Sequence, residues 1–289
     1  MVSRGPDTVS LDGRPARDAI LGRLSARIVA AGSPRITLAT VLVGDDGPSH
    51  RYVASKHRTA REVGIESVRV DLPSTTTQAA LESEVARLAA DPGVHGILVQ
   101  MPLPGHLDAE RVLELVPADK DVDGLTTASL GRLVRDVPGH VGCTPLGVLR
   151  LLQHHGIDTA GRHAVVVGRS TLVGLPLSIL LARRGIDCTV TLAHSRTPDL
   201  AAVCRSADIL VSATGVAGSI GADHVKHGAV LIDVGISRTD AGIMGDIDPV
   251  AVQGIASALT PMPGGTGLMT VACLMENTVE AARMQGTKV

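Results

Sequence analysis

The sequence predicts an α/β fold in two domains, and three observations carry that expectation. Strand-like apolar runs alternate with helical patterns almost from end to end, the rhythm of a parallel sheet covered by helices. A length of 289 residues exceeds what one small core needs and suits two domains. A continuous apolar strand, His163 to Val167, runs into a turn bearing Gly168 and Gly174 and then into a helix, the order found where a parallel sheet receives a dinucleotide.

In the first half, Ile36 to Val43 reads as a strand ending at Gly44-Asp45-Asp46-Gly47-Pro48. Ser49 is expected to cap a helix that runs through Tyr52 and Lys56 to a stop at Gly64, since an N-cap hydroxyl satisfies an orphan N–H and glycine takes the left-handed turn that ends a helix. Val68 to Leu72 is a second strand, and Thr75-Thr76-Thr77-Gln78 opens a helix with Leu81, Val85 and Leu88 on one stripe. His95 to Met101 is a third strand, which delivers Gln100 to its end before Pro102-Leu103-Pro104. Open α/β sheets bind ligands beyond such carboxyl ends.

The second half begins after Pro138-Gly139. Thr144-Pro145 supplies an N-cap and a proline at the first helical position, and Gly156 stops that helix. The helix after the glycine turn spans about Gly174 to Arg184, and Cys188 to Ala193, Ile209 to Ala213 and Val230 to Val234 supply further strands. The last helix, about Thr270 to Met284, is apolar on one face and is expected to pack back on the first domain.

Composition narrows the function. The formal net charge is −2 and no basic block is present, which argues against a nucleic-acid surface and points to a small ligand. The segment Met1-Val2-Ser3-Arg4-Gly5-Pro6-Asp7 has no apolar stretch behind its one basic residue, and no run approaches the roughly 18 apolar residues of a membrane span. A cytoplasmic protein without membrane association is expected. Cys143, Cys188, Cys204 and Cys273 stand far apart with no Cys-x-x-Cys pair, so buried thiols are expected in place of a zinc site or disulfides. His224 and His227 lack a third ligand nearby, and no metal is expected.

Candidate chemistry starts from scarcity: the chain has no Phe, no Trp and one Tyr. Tyr52 lies four residues before Lys56, which on a helix puts phenol and ammonium on one face and suggests a chemical role. At the turn from Gly168 through Arg169 and Ser170 to Gly174, glycines let backbone N–H groups approach a pyrophosphate at a helix N-terminus; two spaced glycines also fit a plain structural turn. The next strand ends in His194-Ser195-Arg196-Thr197, with no acid to take a ribose 2′-hydroxyl. Arg169, Ser195 and Arg196 instead offer donors to a 2′-phosphate, so NADP is the expected cofactor; a solvated surface position fits Arg196 equally. Ala213-Thr214-Gly215 and Asp233-Val234-Gly235-Ile236 follow later strands, where loops line the cofactor or the cleft.

Tyr-x-x-x-Lys is also the pair of short-chain dehydrogenases, but there the cofactor turn precedes the pair, whereas here Tyr52 and Lys56 precede Gly168 by more than a hundred residues. Several further motifs stand in the chain: His95-Gly96-Ile97-Leu98-Val99-Gln100-Met101-Pro102-Leu103-Pro104, Lys120-Asp121-Val122-Asp123-Gly124-Leu125, Gly161-Arg162-His163 through Pro176, and Pro261-Met262-Pro263-Gly264-Gly265. With these, the chain from Leu11-Asp12-Gly13 to the last helix resembles the bifunctional methylenetetrahydrofolate dehydrogenase/cyclohydrolase family. The resemblance implies NADP-dependent oxidation of 5,10-methylenetetrahydrofolate to 5,10-methenyltetrahydrofolate, and hydrolysis of the latter to 10-formyltetrahydrofolate in one-carbon metabolism. It implies Lys56 as the main catalytic residue, Tyr52 and Gln100 as its partners, and Asp123 as the carboxylate that grips the pteridine, with Pro102, Leu103, Gly264 and Gly265 beside the substrate. Around NADP it implies Gly168, Arg169, Ser170, Gly174, Ser195, Arg196, Thr214, Gly215 and Ile236. It also implies a homodimer, a folate-binding catalytic domain of residues 1–140 plus 268–289, and a Rossmann-like NADP-binding domain of residues 141–267.

Two departures from the family pattern stand out. Where the family usually reads Gly-Val-Gly-Pro-Met-Thr, this chain has Gly265-Thr266-Gly267-Leu268-Met269-Thr270, and losing the proline frees one backbone torsion, so a looser loop is expected. The Asp45-to-Ser49 loop carries its proline one position from the usual place.

Hydride departure from the methylene carbon needs alignment more than acid or base, and a cleft between two domains would supply it. Hydrolysis needs a proton shuttle, a task for Lys56 if burial lowers its pKa from about 10.4. Gln100 would orient the ammonium through its amide oxygen, Tyr52 would bond to it or stack on the substrate, and Asp123 would accept paired N–H bonds from a pterin. Two other readings stand beside this one: an NADP enzyme of the shikimate dehydrogenase type, and a catalytically silent folate- or nucleotide-binding protein.

Overall fold

The computed structural model describes residues 8–239 and 242–289; the amino-terminal segment read above for targeting signals, residues 1–7, lies outside them. The chain divides into two units. One contains the residues up to Arg17 and Thr144–Thr270, the other Asp18–Cys143 and Val271–Val289. The expected division assigned all of residues 1–140 to one domain, and the structure departs from it at the start. The short strand β1 (Val9–Ser10) pairs in parallel with the strand Ala258–Leu259, which draws the chain through Arg17 into the second unit. Two residues are too few to show a period, so sequence patterning passes over them.

The unit around Asp18–Cys143 is built on three parallel strands, β2 (Thr37–Val43) between β3 (Glu66–Leu72) and β4 (Gly96–Val99). Every residue of β2 is buried, as a strand covered on both faces requires, and its sequence is accordingly a near-continuous apolar run. The helix Gln78–Ala90 begins at the N-cap Thr77 and lays Leu81, Val85 and Leu88 against Ala39, Val41 and Ile97, each such side chain contributing about 1.5–3 kcal/mol of burial. Lys120 reaches back to close that helix: its ammonium donates to the carbonyls of Ala89 at 2.9 Å and Asp91 at 2.7 Å, at the end where a cation complements the helix dipole.

The helix Gly47–Val63 carries Tyr52 and Lys56, and Gly64 ends it in the left-handed conformation at φ 91°. Its N-cap is Asp46, not Ser49. The Asp46 carboxylate accepts from the Ser49 backbone N–H at 2.8 Å and from the Ser49 hydroxyl at 2.7 Å, so the stronger, charged acceptor takes the cap and Ser49 becomes its partner one turn in.

The second unit contains a six-stranded, all-parallel sheet. Its strands are β1, β5 (His163–Val167), β6 (Thr189–Ala193), β7 (Ile209–Ser212), β8 (Val230–Asp233) and, after a hairpin of β9 (Ser237–Thr239) and β10 (Gly242–Met244), β11 (Ala258–Leu259), in the spatial order β1-β11-β8-β7-β5-β6. Alternate residues face two cores: Val165, Val167, Leu210 and Leu231 pack on one side, and Ala164, Val166, Ile209, Val211 and Ile232 on the other. Aliphatic side chains fill both layers, which is how the unit manages without aromatic rings. The helix Cys143–His154 starts one residue before Thr144, whose hydroxyl meets that of Thr270 at 3.2 Å in place of capping. The last helix begins at Thr266, four residues earlier than expected, and ends at Met284. No helix among the described residues is long and apolar enough to cross a membrane.

Candidate active site

In the three-stranded unit, the helix Gly47–Val63 and the end of β4 bring Tyr52, Lys56 and Gln100 together. The Lys56 ammonium, 5% exposed, donates to Gln100 Oε1 at 2.9 Å and lies 4.3 Å from the centroid of the Tyr52 ring, within cation–π range. Gln100 Nε2 donates to the Met101 carbonyl at 2.6 Å, which fixes the amide so that its oxygen faces the lysine. Removal from water pushes the Lys56 pKa down, and the nearby Asp123 opposes that shift.

Asp123 sits on the turn that follows Lys120–Val122, a segment bridged to β4 through Ile97 and Asp121. Gly124 holds φ +66°, and a Cβ there would lie 2.5 Å from the Gly142 nitrogen, so glycine is required after Asp123 at this close approach. The Asp121 carboxylate ties the turn by accepting from the N–H groups of Leu125 and Thr126. Burial raises the Asp123 pKa and the Lys56 charge holds it back; the two side chains thus form an opposed pair in one electrostatic site. Cys143 donates its thiol to the Val122 carbonyl at 3.2 Å, and burial pushes that thiol well above its ordinary range, keeping it protonated and unreactive. Asn277 donates to the carbonyls of Val122 and Val141 at 2.8 and 2.9 Å. Sequence reading missed Cys143, Asp121 and Asn277 as supports of this turn; Asn277 stands 155 residues from Val122, beyond the reach of any local spacing.

Pro102 and Leu103 follow Gln100 at the same strand end, Pro102 exposed and Leu103 half-buried. Gly264 and Gly265 belong to the six-stranded unit. There Gly13 N–H donates to the Gly264 carbonyl at 2.8 Å, and a Cβ on Gly13 would lie 2.4 Å from the Gly265 oxygen, which accounts for glycine at position 13; a Cβ on Gly265 would lie 2.7 Å from the Pro261 oxygen.

At the end of β5 the backbone is equally crowded. A Cβ on Gly168, at φ +121°, would lie 2.3 Å from the Ala213 carbonyl, and one on Gly174 would lie 1.8 Å from the Gly168 carbonyl. No side chain caps the helix Gly174–Ala182, which leaves its N-terminus to an anion. A cavity of about 470 Å³ opens here, lined by Gly168, Arg169, Ser170, His194, Ser195 and Thr214 among others. Ser170 Oγ also accepts from the Val173 N–H at 3.2 Å, shaping the turn. Arg196 is exposed and outside the cavity lining; its backbone N–H donates to His194 Nδ1. Gly215 and the 58%-exposed Ile236 flank the next two strand ends, without lining the cavity.

Comparison with known proteins matches both units. Residues 11–123 match the tetrahydrofolate dehydrogenase/cyclohydrolase catalytic domain, and residues 142–286 its NAD(P)-binding domain. The bifunctional protein FolD of Geobacillus thermodenitrificans is 49% identical over 252 residues, covering 87% of this chain and 88% of the relative. Among solved structures, the bifunctional FolD methylenetetrahydrofolate dehydrogenase/cyclohydrolase of Campylobacter jejuni superposes with a TM-score of 0.92 at 39% identity, covering 96% of this chain and 99% of that one. The Trypanosoma brucei enzyme, solved with NADP and an inhibitor, gives 0.90 at 36% identity, covering 96% and 98%. Both halves of the sequence, in the same order and over nearly their whole length, match one family, and the chain belongs to the tetrahydrofolate dehydrogenase/cyclohydrolase family.

Proposed function

We propose that this chain oxidises 5,10-methylenetetrahydrofolate to the 5,10-methenyl compound with NADP and then hydrolyses that product to 10-formyltetrahydrofolate, with Lys56 as the proton carrier of the second step. The observation that carries the assignment is a buried lysine whose ammonium is held by one amide oxygen, faces an aromatic ring and shares its site with a carboxylate. Burial brings the ammonium toward neutral pH, the condition for giving and taking a proton during turnover. Gln100 aims Nζ, and Tyr52 supplies the ring against which ammonium or substrate packs. Asp123 takes paired N–H donors of the pterin, and Pro102 and Leu103 border the same strand end.

The residues at the end of β5 suit NADP, because two glycines clear the backbone and the turn that leads into the uncapped helix lines the cavity. When bound, NADP accepts the hydride from the methylene carbon. Gly168, Ser170 and Gly174 hold the pyrophosphate, and Arg169 and Ser195 take the 2′-phosphate. Arg196, exposed beyond the cavity, acts at most from the rim. Since β6 lies on one side of β5 and β7 then β8 on the other, a 2′-phosphate at Ser195 directs the nicotinamide toward Thr214, Gly215 and Ile236.

The homodimer is supported by β3, the edge of its sheet, which shows most of its residues to solvent, Val68 at 39% among them; an open edge of this kind is completed by a second copy. All four cysteines are buried and none of them forms a disulfide, in keeping with a reducing, cytoplasmic setting.

The test is NADPH formation from 5,10-methylenetetrahydrofolate on purified protein, followed by loss of methenyl absorbance above the spontaneous rate. Both activities are expected; methenyltetrahydrofolate that decays no faster with protein than without it would remove the hydrolytic half.

A further inference from the structure

Two carboxylates are buried at the ends of β7 and β8, and neither has an ion pair among the described residues. Asp233 is 2% exposed and Asp246 is fully buried. Asp233 accepts from the N–H groups of Gly235 at 3.1 Å, Asp246 at 3.0 Å and Ile247 at 2.9 Å. Asp246 Oδ2 accepts from the Ser212 hydroxyl at 3.0 Å and from the N–H groups of Thr214 at 2.6 Å and Gly215 at 3.3 Å. Each carboxylate also lies on the glycine that neighbours the other. A Cβ on Gly235 would lie 1.8 Å from Asp246 Oδ1, and one on Gly245 would lie 2.0 Å from Asp233 Oδ2. Asp246 Oδ1 has no hydrogen-bond partner.

Burying a carboxylate without a cation is costly, and a glycine-tight clasp shuts out water as well. What the clasp controls is the height of two loops. Its bonds converge on Thr214, which lines the cavity, on Gly215, and on Gly235 beside Ile236. A third contact comes from Thr266, whose hydroxyl donates to the Asp233 carbonyl at 2.9 Å, a bond that a valine could not make, and Thr260 Oγ1 accepts from Asp233 N–H at 2.8 Å. The expected looseness from losing the proline at Leu268 is thereby countered at the start of the last helix.

We infer that Asp246, clasped with Asp233 and locked by Thr266, is the positioning residue that sets the Thr214–Gly215 and Gly235–Ile236 loops for the nicotinamide end of NADP. The inference rests on the cofactor placement argued above. Its test compares two probes on the intact protein: 2′,5′-ADP, which reports the phosphate end alone, and NADP, which reports both ends. In Asp246→Asn, NADP affinity falls about fivefold, because a neutral amide oxygen accepts from Ser212, Thr214 and Gly215 about half as strongly as the carboxylate does, with a matching fall in dehydrogenase kcat. Affinity for 2′,5′-ADP and the rate of methenyltetrahydrofolate hydrolysis stay within about twofold, the scatter of surface changes. Thr266→Val moves NADP affinity the same way by about twofold or more, Thr266→Ser keeps the parent value, and this pair decides the matter if Asp246→Asn does not fold. Equal weakening of both probes, or Thr266→Val indistinguishable from the parent, overturns the inference. A parent protein that binds neither probe overturns the cofactor placement itself.

Discussion

Lys56 donates to Gln100 Oε1 at 2.9 Å, and Gln100 is unable to turn its amide round because Nε2 is bound to the Met101 carbonyl at 2.6 Å. The neutral oxygen holds the ammonium without neutralising it, so burial continues to press the lysine pKa downward. A carboxylate in the same place would favour the charged lysine. Gln100→Glu is therefore expected to move the pH profile of methenyltetrahydrofolate hydrolysis to higher pH while leaving NADP affinity alone. Initial hydrolysis rates across a pH series, corrected for the spontaneous reaction, check it; an unshifted profile would show that Lys56 does not titrate during turnover.

Lys56 is expected to separate the two reactions. Hydride departure requires no proton relay, whereas water attack and ring opening do. Lys56→Met should lower hydrolysis about a hundredfold or more, the usual scale of a lost acid–base group, while some NADPH formation survives and methenyltetrahydrofolate is released. The pair of rates on one protein preparation is the measurement. Parent-like hydrolysis would make Lys56 a packing residue.

Much of this arrangement was legible in the sequence because it is local. The i, i+4 spacing of Tyr52 and Lys56 and the strand end at Gln100 each follow from a short window, and the apolar run of β2 and the stripe Leu81, Val85, Leu88 follow from periodicity. What was hidden depends on tertiary contact. Asp46 displaced Ser49 as the cap because both lie within one turn and only the folded loop selects between two acceptors. The start of the last helix was hidden by its glycines, Gly264 to Gly267, which read as loop until Thr266 finds the Asp233 carbonyl. Asn277, the support of the Asp123 turn, and the Asp233–Asp246 clasp join residues from distant segments, and no spacing rule reaches them.

Asp123→Asn should weaken both activities together, by about tenfold, because one carboxylate that accepts paired N–H bonds serves the same bound pterin in each step. NADP affinity is expected to stay at the parent value. Loss of hydrolysis alone, measured beside dehydrogenase activity at saturating folate, would move Asp123 from substrate binding to proton transfer.

NADP should be preferred over NAD by about tenfold or more, since one charge-assisted bond from Arg169 to a 2′-phosphate is worth about 1.5–3 kcal/mol, and no acid stands at the end of β6 to favour a free hydroxyl. Arg169→Ala is expected to erase most of that preference by lowering kcat/KM for NADP and sparing that for NAD. Parallel loss with both nucleotides would make Arg169 a structural support of the turn.

The Asp233 carboxyl predicts a pH dependence of stability. Burial raises its pKa from 3.8 to about 6, Asp246 adds like charge, and the N–H groups of Gly235, Asp246 and Ile247 limit the rise. Between those two values the folded chain retains a proton that the unfolded chain has released, so this group's contribution to stability is full below pH 3.8 and is lost as pH rises through about 6. The expected loss between pH 5 and pH 7 is about 1 kcal/mol. Asp233→Asn removes the titration but keeps the shape, so its own effect on stability is a constant offset and the slope is the readout. Denaturant unfolding of parent and variant at several pH values in this window should show the parent losing ground to the variant as pH rises. A difference that stays flat from pH 5 to pH 7 would mean that Asp233 is already ionised in the folded protein throughout, with its backbone donors outweighing burial.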